Sequence, residues 1–250
     1  MGLLDLFLPE RCAACDALSG GAPGLCTSCA LSLYPLGAAC PVCGEPGERA
    51  ERCRRCAAAP PPFYRLDAPY RYGGELATAL CRLKYGGAKS AGRFELARPL
   101  GALLAPALAA LLTPALGVLL TPGLAAGKPD LLVPVPLHPA RLRARGFSQA
   151  HALCAAARAT LGAHAPPLAA VLERHRATSA QAGLNRAGRA RNVNGAFAVA
   201  PRAVPRIAGR AVLLIDDVVT TGATAAACAT ALLAAGAARV SVLALARAEA

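Results

Sequence analysis

The chain has 250 residues, 55% of them hydrophobic, enough for one substantial core and a small accessory module. Its formal net charge is +13 at pH 7, carried mostly by arginine, with lysine only at Lys84, Lys89 and Lys128. That excess favours anionic partners without separating a phosphorylated metabolite from a nucleic acid, and the opening MGLLDLFLPERC lacks the basic and apolar stretches of a secretory signal, so none is expected.

Eight of the eleven cysteines fall before residue 57, as Cys12/Cys15, Cys26/Cys29, Cys40/Cys43 and Cys53/Cys56. Each pair is a CxxC, which turns both sulfurs toward one point, and two such turns supply the four thiolates of a tetrahedral zinc. A disulfide scaffold would call for an export signal, and a redox pair would stand alone within a βαβ unit. Two structural zinc sites are therefore expected. The simplest pairing is sequential, with Cys12, Cys15, Cys26 and Cys29 on one ion and Cys40, Cys43, Cys53 and Cys56 on the other; interleaved pairing stays open. Gly44 after CPVC lets amides turn toward sulfur. The module is expected to span 1–58 and to need its metals to fold. Cys81, Cys154 and Cys228 read as small buried hydrophobes.

APPPF, residues 59–63, reads as a linker into an α/β domain over 59–250. An extended segment with a turn at Gly73–Gly74 leads to a helix over 75–85, closed by the glycines of LKYGG. Residues 99–127 carry no charge and are long enough to cross a bilayer, but Pro106, Pro114 and Pro122 interrupt them. The expectation is a core helix over 92–112, then an insertion over 113–127, with no stable membrane span. DLLVPVP (130–136) fits a strand buried on both faces, and 147–161 a helix. GAFAVA (195–200) reads as a strand, AVLLIDDV (211–218) as another buried strand, taken to end at Ile215 so that Asp216 and Asp217 stand at the sheet's edge, 223–235 as a helix stopped near Gly236, and 239–246 as the last strand. Strands separated by helices imply a mainly parallel sheet, with ligands outside the strands' carboxyl ends.

VLLIDDVVTTGAT, 212–224, puts two acids at that edge, then a tight turn and a helix start. Free amides at a helix N-terminus attract an anion, Gly222 permits close approach, and Thr220, Thr221 and Thr224 offer hydroxyls. The loop suits a phosphate. Asp216 and Asp217 suit vicinal hydroxyls instead, and a phosphate plus a diol is a sugar phosphate. The alternative, a capped turn without a ligand, leaves two adjacent buried acids unexplained. No GxxxxGK[ST] is present, so a P-loop hydrolase is not expected.

LLIDDVVTTGAT resembles the ribose-5-phosphate signature of type I phosphoribosyltransferases, which use phosphoribosyl pyrophosphate (PRPP). Together with the CxxC pairs, RLKYGG (82–87), LLVPVPLHPARLRARGFSQA (131–150) and TSAQAGLNRAGRARNVNGAF (178–197), it resembles the ComF family, in which such a domain follows a double zinc ribbon. The likeness covers nearly the whole chain except the insertion and the tail; members more often have Asn at Ser148. It implies a type I phosphoribosyltransferase fold. Asp216 and Asp217 would serve the ribose hydroxyls and the cationic anomeric carbon, and Thr220, Thr221, Gly222, Ala223 and Thr224 the 5′-phosphate. Pro136, Leu137 and His138 would form the pyrophosphate loop, with Lys84, Arg141, Arg143 and Arg145 neutralising the diphosphate. Mg²⁺ would arrive mostly on substrate oxygens. The basic stretch 174–192 would form a hood bringing Gln181, Arg186 and Arg191 to the ligand.

Two functions follow from the likeness: a cytoplasmic phosphoribosyltransferase of unread acceptor linked to competence and DNA uptake, or a non-catalytic factor binding single-stranded DNA or a competence helicase. With Met1-Gly2 at the start, no N-terminal nucleophilic cysteine for glutamine amidotransfer is expected.

Overall fold

The computed structural model describes residues 11–19, 24–86, 91–113, 128–176, 188, 193 and 195–249. A five-stranded, wholly parallel sheet forms the centre. β1 (Leu66–Asp67) and β2 (Tyr70–Arg71) lie along β7 (Arg239–Arg247), which pairs with β6 (Ala211–Val219), which pairs with β3 (Leu131–Pro134). β4 (Leu172–Arg174) and β5 (Phe197–Val199) form a separate antiparallel pair, so the expected 195–200 strand stands outside the main sheet.

Side chains alternate across the sheet with the period of two that a strand dictates. Leu131, Val133, Val212, Leu214, Val240 and Val242 face one core with Ala225, Cys228 and Leu232 of α7 (Ala223–Ala234). Leu132, Leu213, Ile215, Leu243 and Leu245 face the other. That second core holds α3 (Gly74–Tyr85), α4 (Ala97–Leu112) and α6 (Gln149–Leu161). Strands buried on both faces read as unbroken apolar runs, which is why 130–136 and 211–215 carry no polar alternation.

The Phe94–Leu112 stretch, a short 3₁₀ turn running into α4, is long and apolar enough to cross a membrane by length and composition. Pro106 interrupts no packing, because it lies on the exposed side. Leu100, Leu104 and Leu108 are fully buried, and Gly101 abuts α6: a Cβ there would come 2.5 Å from Ala156 Cβ and 3.0 Å from the Leu153 carbonyl. Gly101→Ala should therefore cost about 2 kcal/mol by overpacking. Helix propensity alone predicts the opposite, a gain of about 1 kcal/mol. Chemical denaturation midpoints of the two proteins check the sign.

Several boundaries move. The strand expected to end at Ile215 runs on to Val219, because Val218 and Val219 pair with Ala246 and Arg247. The loop after it is correspondingly shorter, with α7 beginning at Ala223. The stretch after His138 becomes a helix, α5 (Pro139–Arg145), with proline in its first turn and His138 as its cap. Ser148 is an N-cap, accepting from the His151 amide at 3.4 Å, a role that asparagine fills equally well. Cys154 and Cys228 are buried as expected, but Cys81 is exposed on α3, its sulfur 3.8 Å from the Tyr72 hydroxyl. Most of the expected insertion, 114–127, lies outside the described residues.

The cysteine-rich segment does not stand apart. Two short helices, α1 (Thr27–Leu31) and α2 (Arg54–Ala58), each start just after the first cysteine of a CxxC, Cys26 or Cys53, and carry the second, Cys29 or Cys56. Cys12, Ala13, Leu25 and Cys29 join the core of α3 and α4. Arg82 of α3 donates to the carbonyls of Ala13 and Ala14 at 3.1 and 2.8 Å and pairs with Asp16 at 2.7 Å. Phe63, at the end of 59–63, is buried against the sheet.

Candidate functional site

The eight ribbon cysteines gather into two groups, Cys12/Cys15/Cys26/Cys29 and Cys40/Cys43/Cys53/Cys56, with the sulfurs of each group within 4.8 Å of one another. The pairing is thus sequential. Zinc–sulfur bonds of about 2.3 Å in a tetrahedron set sulfurs about 3.8 Å apart. Cys15···Cys26 and Cys43···Cys53 are each 3.7 Å, and no disulfide joins any described cysteine, so the residues fit two closed structural zinc sites. Without an ion the thiols of each cluster are driven apart: burial pushes Cys29 and Cys56 up, while the Ser28 hydroxyl, ahead of the Cys29 amide, brings Cys26 down to about 6. Burial opposes ionisation of Cys40, but the amides of Cys53, Cys43 and Val42 outweigh it and bring that thiol to about 7.

At the carboxyl edge of the sheet lies a cavity of about 280 Å³. Asp216, Lys84, Tyr72, the Thr220–Thr224 loop and Ala248 line it. Gly222 takes φ +80, a conformation that favours glycine, and it caps a helix of 12 residues whose first amides face no preceding turn. The Thr221 hydroxyl accepts from the Ala223 amide at 3.4 Å.

Because β6 continues through the two acids, its alternation sends them to opposite faces. Asp217 follows Leu213 and Ile215 toward α3 and α6. There it forms an ion pair with Lys84 and accepts from Gln149 Nε2 at 3.2 Å, and Arg145 donates to Gln149 Oε1. Burial works against the Asp217 charge, yet Lys84 more than offsets it and holds the carboxyl below the ordinary aspartate range. Asp216 follows Val212 and Leu214 to the other face and into the cavity. Burial first, then the neighbouring Asp217 charge, pushes its carboxyl well above the usual range, while it accepts the Asp217 amide at 2.9 Å.

A raised carboxyl keeps its proton in the folded chain where the unfolded chain has lost it. Its contribution is present below the ordinary aspartate range and is lost as pH rises through the raised folded value. Asp216→Asn, which removes the charge and keeps the shape, should therefore raise the melting temperature of the ligand-free protein at alkaline pH. The gain should shrink toward pH 5, as scanning calorimetry across pH would register.

The remaining expected contacts divide. Lys84 lies in the site. Pro136 and Leu137 are half-buried just after β3 and are not among the residues lining the cavity, and His138 spends Nδ1 on the Ala140 amide. Arg141 and Arg143 are exposed on α5. Arg145 is buried, its guanidinium 5.0 Å from the Tyr85 ring centre. Three residues escaped the sequence reading. Gln149 gave no signal beyond its place in GFSQA. Tyr72 carried no signal beyond its place in the extended segment before Gly73–Gly74. Arg174, at the root of the expected hood, is buried 5.2 Å from the Phe197 ring. Burial lowers its basicity, Arg141 adds repulsion, and the Asp216 charge opposes both. Gln181, Arg186 and Arg191 lie outside the described residues.

Residues 3–57 match the double zinc ribbon domain. Over 244 residues the chain is 35% identical to the DNA utilization protein YhgH of Escherichia coli K12, covering 97% of this chain and 99% of that protein. The YhgH proteins of Shigella flexneri (34%, the same coverage) and Salmonella typhi (35% over 225 residues, 90% of each chain) are similar. With a double ribbon at its N-terminus, an α/β domain on a parallel sheet behind it and this identity along nearly the full length, the chain belongs to the ComF family that includes YhgH.

Proposed function

We propose that the chain binds PRPP or a closely related 5-phosphoribosyl ligand with Mg²⁺ and acts as a type I phosphoribosyltransferase, in the cytoplasm, in the uptake or use of DNA. The observation that carries this reading is a cavity that joins the Asp216 carboxyl, the Lys84 ammonium and the glycine-capped start of α7. An anion on the α7 amides and a diol toward Asp216 are one ribose 5-phosphate apart, and a volume of about 280 Å³ is near the lower limit, about 300 Å³, of small-molecule sites. Asp216 would take the ribose hydroxyls and face the charge that grows on the anomeric carbon. Asp217 would act through Lys84, which it keeps charged and in place for the diphosphate, with Arg141 and Arg143 completing the neutralisation.

The donor set fits a cation brought by the substrate. Asp217 is already balanced by Lys84, whereas the Asp216 carboxyl opens into the cavity and gains from a positive charge beside it. Mg²⁺ bound mostly through diphosphate oxygens and water would supply charge neutralisation there.

Calorimetric titration with PRPP and Mg²⁺ tests the reading. Wild type should bind, and Asp216→Asn should bind at least about tenfold more weakly, the cost of a lost charged hydrogen bond. Affinity should rise with pH as Asp216 gives up its proton, and this dependence should vanish in Asp216→Asn. Equal heats from both proteins would refute it.

A second reading, a non-catalytic factor for single-stranded DNA, draws on the name of the relatives, DNA utilization protein, and on the net charge of +13. Its signature is mobility-shift affinity that collapses with added salt and survives Asp216→Asn.

A further inference from the structure

A chain of polar contacts runs from the second cysteine cluster to the edge of the cavity. Arg55 of α2 donates to Cys43 Sγ at 2.9 Å and lies 3.6 Å from Glu45 Oε2. The same Glu45 oxygen accepts from Arg247 at 2.6 Å. Arg247, the last residue of β7, is 1% exposed, and its other terminal nitrogen donates to the Val219 carbonyl at 3.3 Å and to the Ala248 carbonyl at 2.8 Å. Val219 and Ala248 both line the cavity, and Val219 directly precedes the Thr220–Thr224 loop. The backbone closes the same corner, with the Ala248 amide donating to Val219 at 2.8 Å.

The turn after Cys43 is seated on this arginine. Gly44 takes φ +64, and a Cβ there would meet Leu66 Cδ2 at 2.8 Å and Arg247 Cδ at 3.9 Å. A buried guanidinium is costly unless its donors are satisfied, and the carboxylate that serves this one is Glu45, two residues past a cysteine of the second cluster. The second cluster fixes where Glu45 stands. Glu45 fixes Arg247, and Arg247 holds two carbonyls at the root of the phosphate-type loop.

We infer that Arg247 and Glu45 are positioning residues through which the second zinc cluster sets the conformation of the cavity's loop, so that zinc in the ribbon and ligand in the α/β domain are coupled. The ligand half of this inference rests on the reading proposed above. The coupling of cluster to loop does not.

The test compares three zinc-loaded full-length proteins: wild type, Glu45→Ala and Glu45→Gln. Glutamine keeps an oxygen that can accept from Arg247; alanine does not. Each should retain both zinc ions by metal analysis, since none of the cysteines is altered. Hydrogen exchange without ligand is read at the amides of Ala223, Ala226 and Ala248, each hydrogen-bonded at or beside the loop. Glu45→Ala should speed exchange there about tenfold and weaken PRPP·Mg²⁺ about tenfold, the worth of one charge-assisted hydrogen bond. The amides of β6 before Val219 should be unchanged, and Glu45→Gln should restore most of both effects. Wild-type exchange at the loop in Glu45→Ala, protection lost evenly across the sheet, or loss of zinc would each overturn the inference. If wild type itself fails to bind PRPP, the proposed ligand is wrong, while the exchange result still decides the coupling.

Discussion

Stripping zinc from the protein is expected to melt the core of the α/β domain as well as the ribbon. A structural zinc site of four thiolates is worth about 10–16 kcal/mol in small peptides, as much as the whole stability of an ordinary domain. In this chain the first cluster is walled into a shared core: Cys12, Ala13, Leu25 and Cys29 pack with Leu80, Leu83, Leu100 and Leu104. Arg82 spans the boundary through two ribbon carbonyls and Asp16. Without the ion, the ribbon loses its turns, and α3 and α4 lose one wall. α3 carries Lys84, so the cavity is lost with it. With a strong chelator, far-ultraviolet and near-ultraviolet dichroism should report one coincident transition, lowered by at least about 10 °C. A chelated protein whose α/β core melts at the original temperature would contradict this.

The second large effect is expected at Lys84. Lys84→Met keeps an apolar stem of similar length on α3 but leaves the Asp217 carboxylate, 5% exposed, with Gln149 as its remaining described side-chain donor. Breaking a buried pair by removing one partner costs about 3–5 kcal/mol. The lower end applies here, because Lys84 keeps 19% of its side-chain surface exposed. The pH profile identifies the cause. The folded-state Asp217 carboxyl is held low, so its pairing energy is present above the ordinary aspartate range and fades as pH falls through the lowered value. The gap in denaturation midpoint between wild type and Lys84→Met should therefore be widest near neutrality and close on acidification. Lys84→Met/Asp217→Leu, in which no lone charge is left, should recover much of the stability and none of the ligand affinity. A gap independent of pH would assign the loss to packing instead.

These effects depend on a feature that the residues contained and a local reading could miss. Asp216 and Asp217 look like a matched pair while the strand is taken to stop at Ile215. Carried on through the β-branched Val218 and Val219, the same period of two separates them, one to the cavity and one to Lys84 and Gln149. The cysteine pairs were legible because zinc imposes a spacing, and the apolar strands because burial on both faces leaves an unbroken run. The α5 helix was legible only in retrospect, from Pro139 in a first turn with His138 before it. Cys81 was misjudged because an apolar residue type says nothing about which face of α3 it occupies. Arg82, Arg145 and Arg247 were beyond reach for a different reason. In a chain so rich in arginine, a partnered guanidinium differs from a solvated one only by its partner, which is distant in sequence for Arg82 (Asp16) and Arg247 (Glu45) and one helical turn on, across the α5–α6 break, for Arg145 (Gln149).

Whether one cavity holds a phosphorylated pentose is measured directly by a crystal structure of the zinc-loaded protein with PRPP and Mg²⁺. The 5′-phosphate should lie on the amides of 221–224, the ribose hydroxyls within hydrogen-bond reach of Asp216, and Lys84 on the diphosphate side. A sugar lodged elsewhere, with the pocket beside Asp216 unfilled, would contradict it.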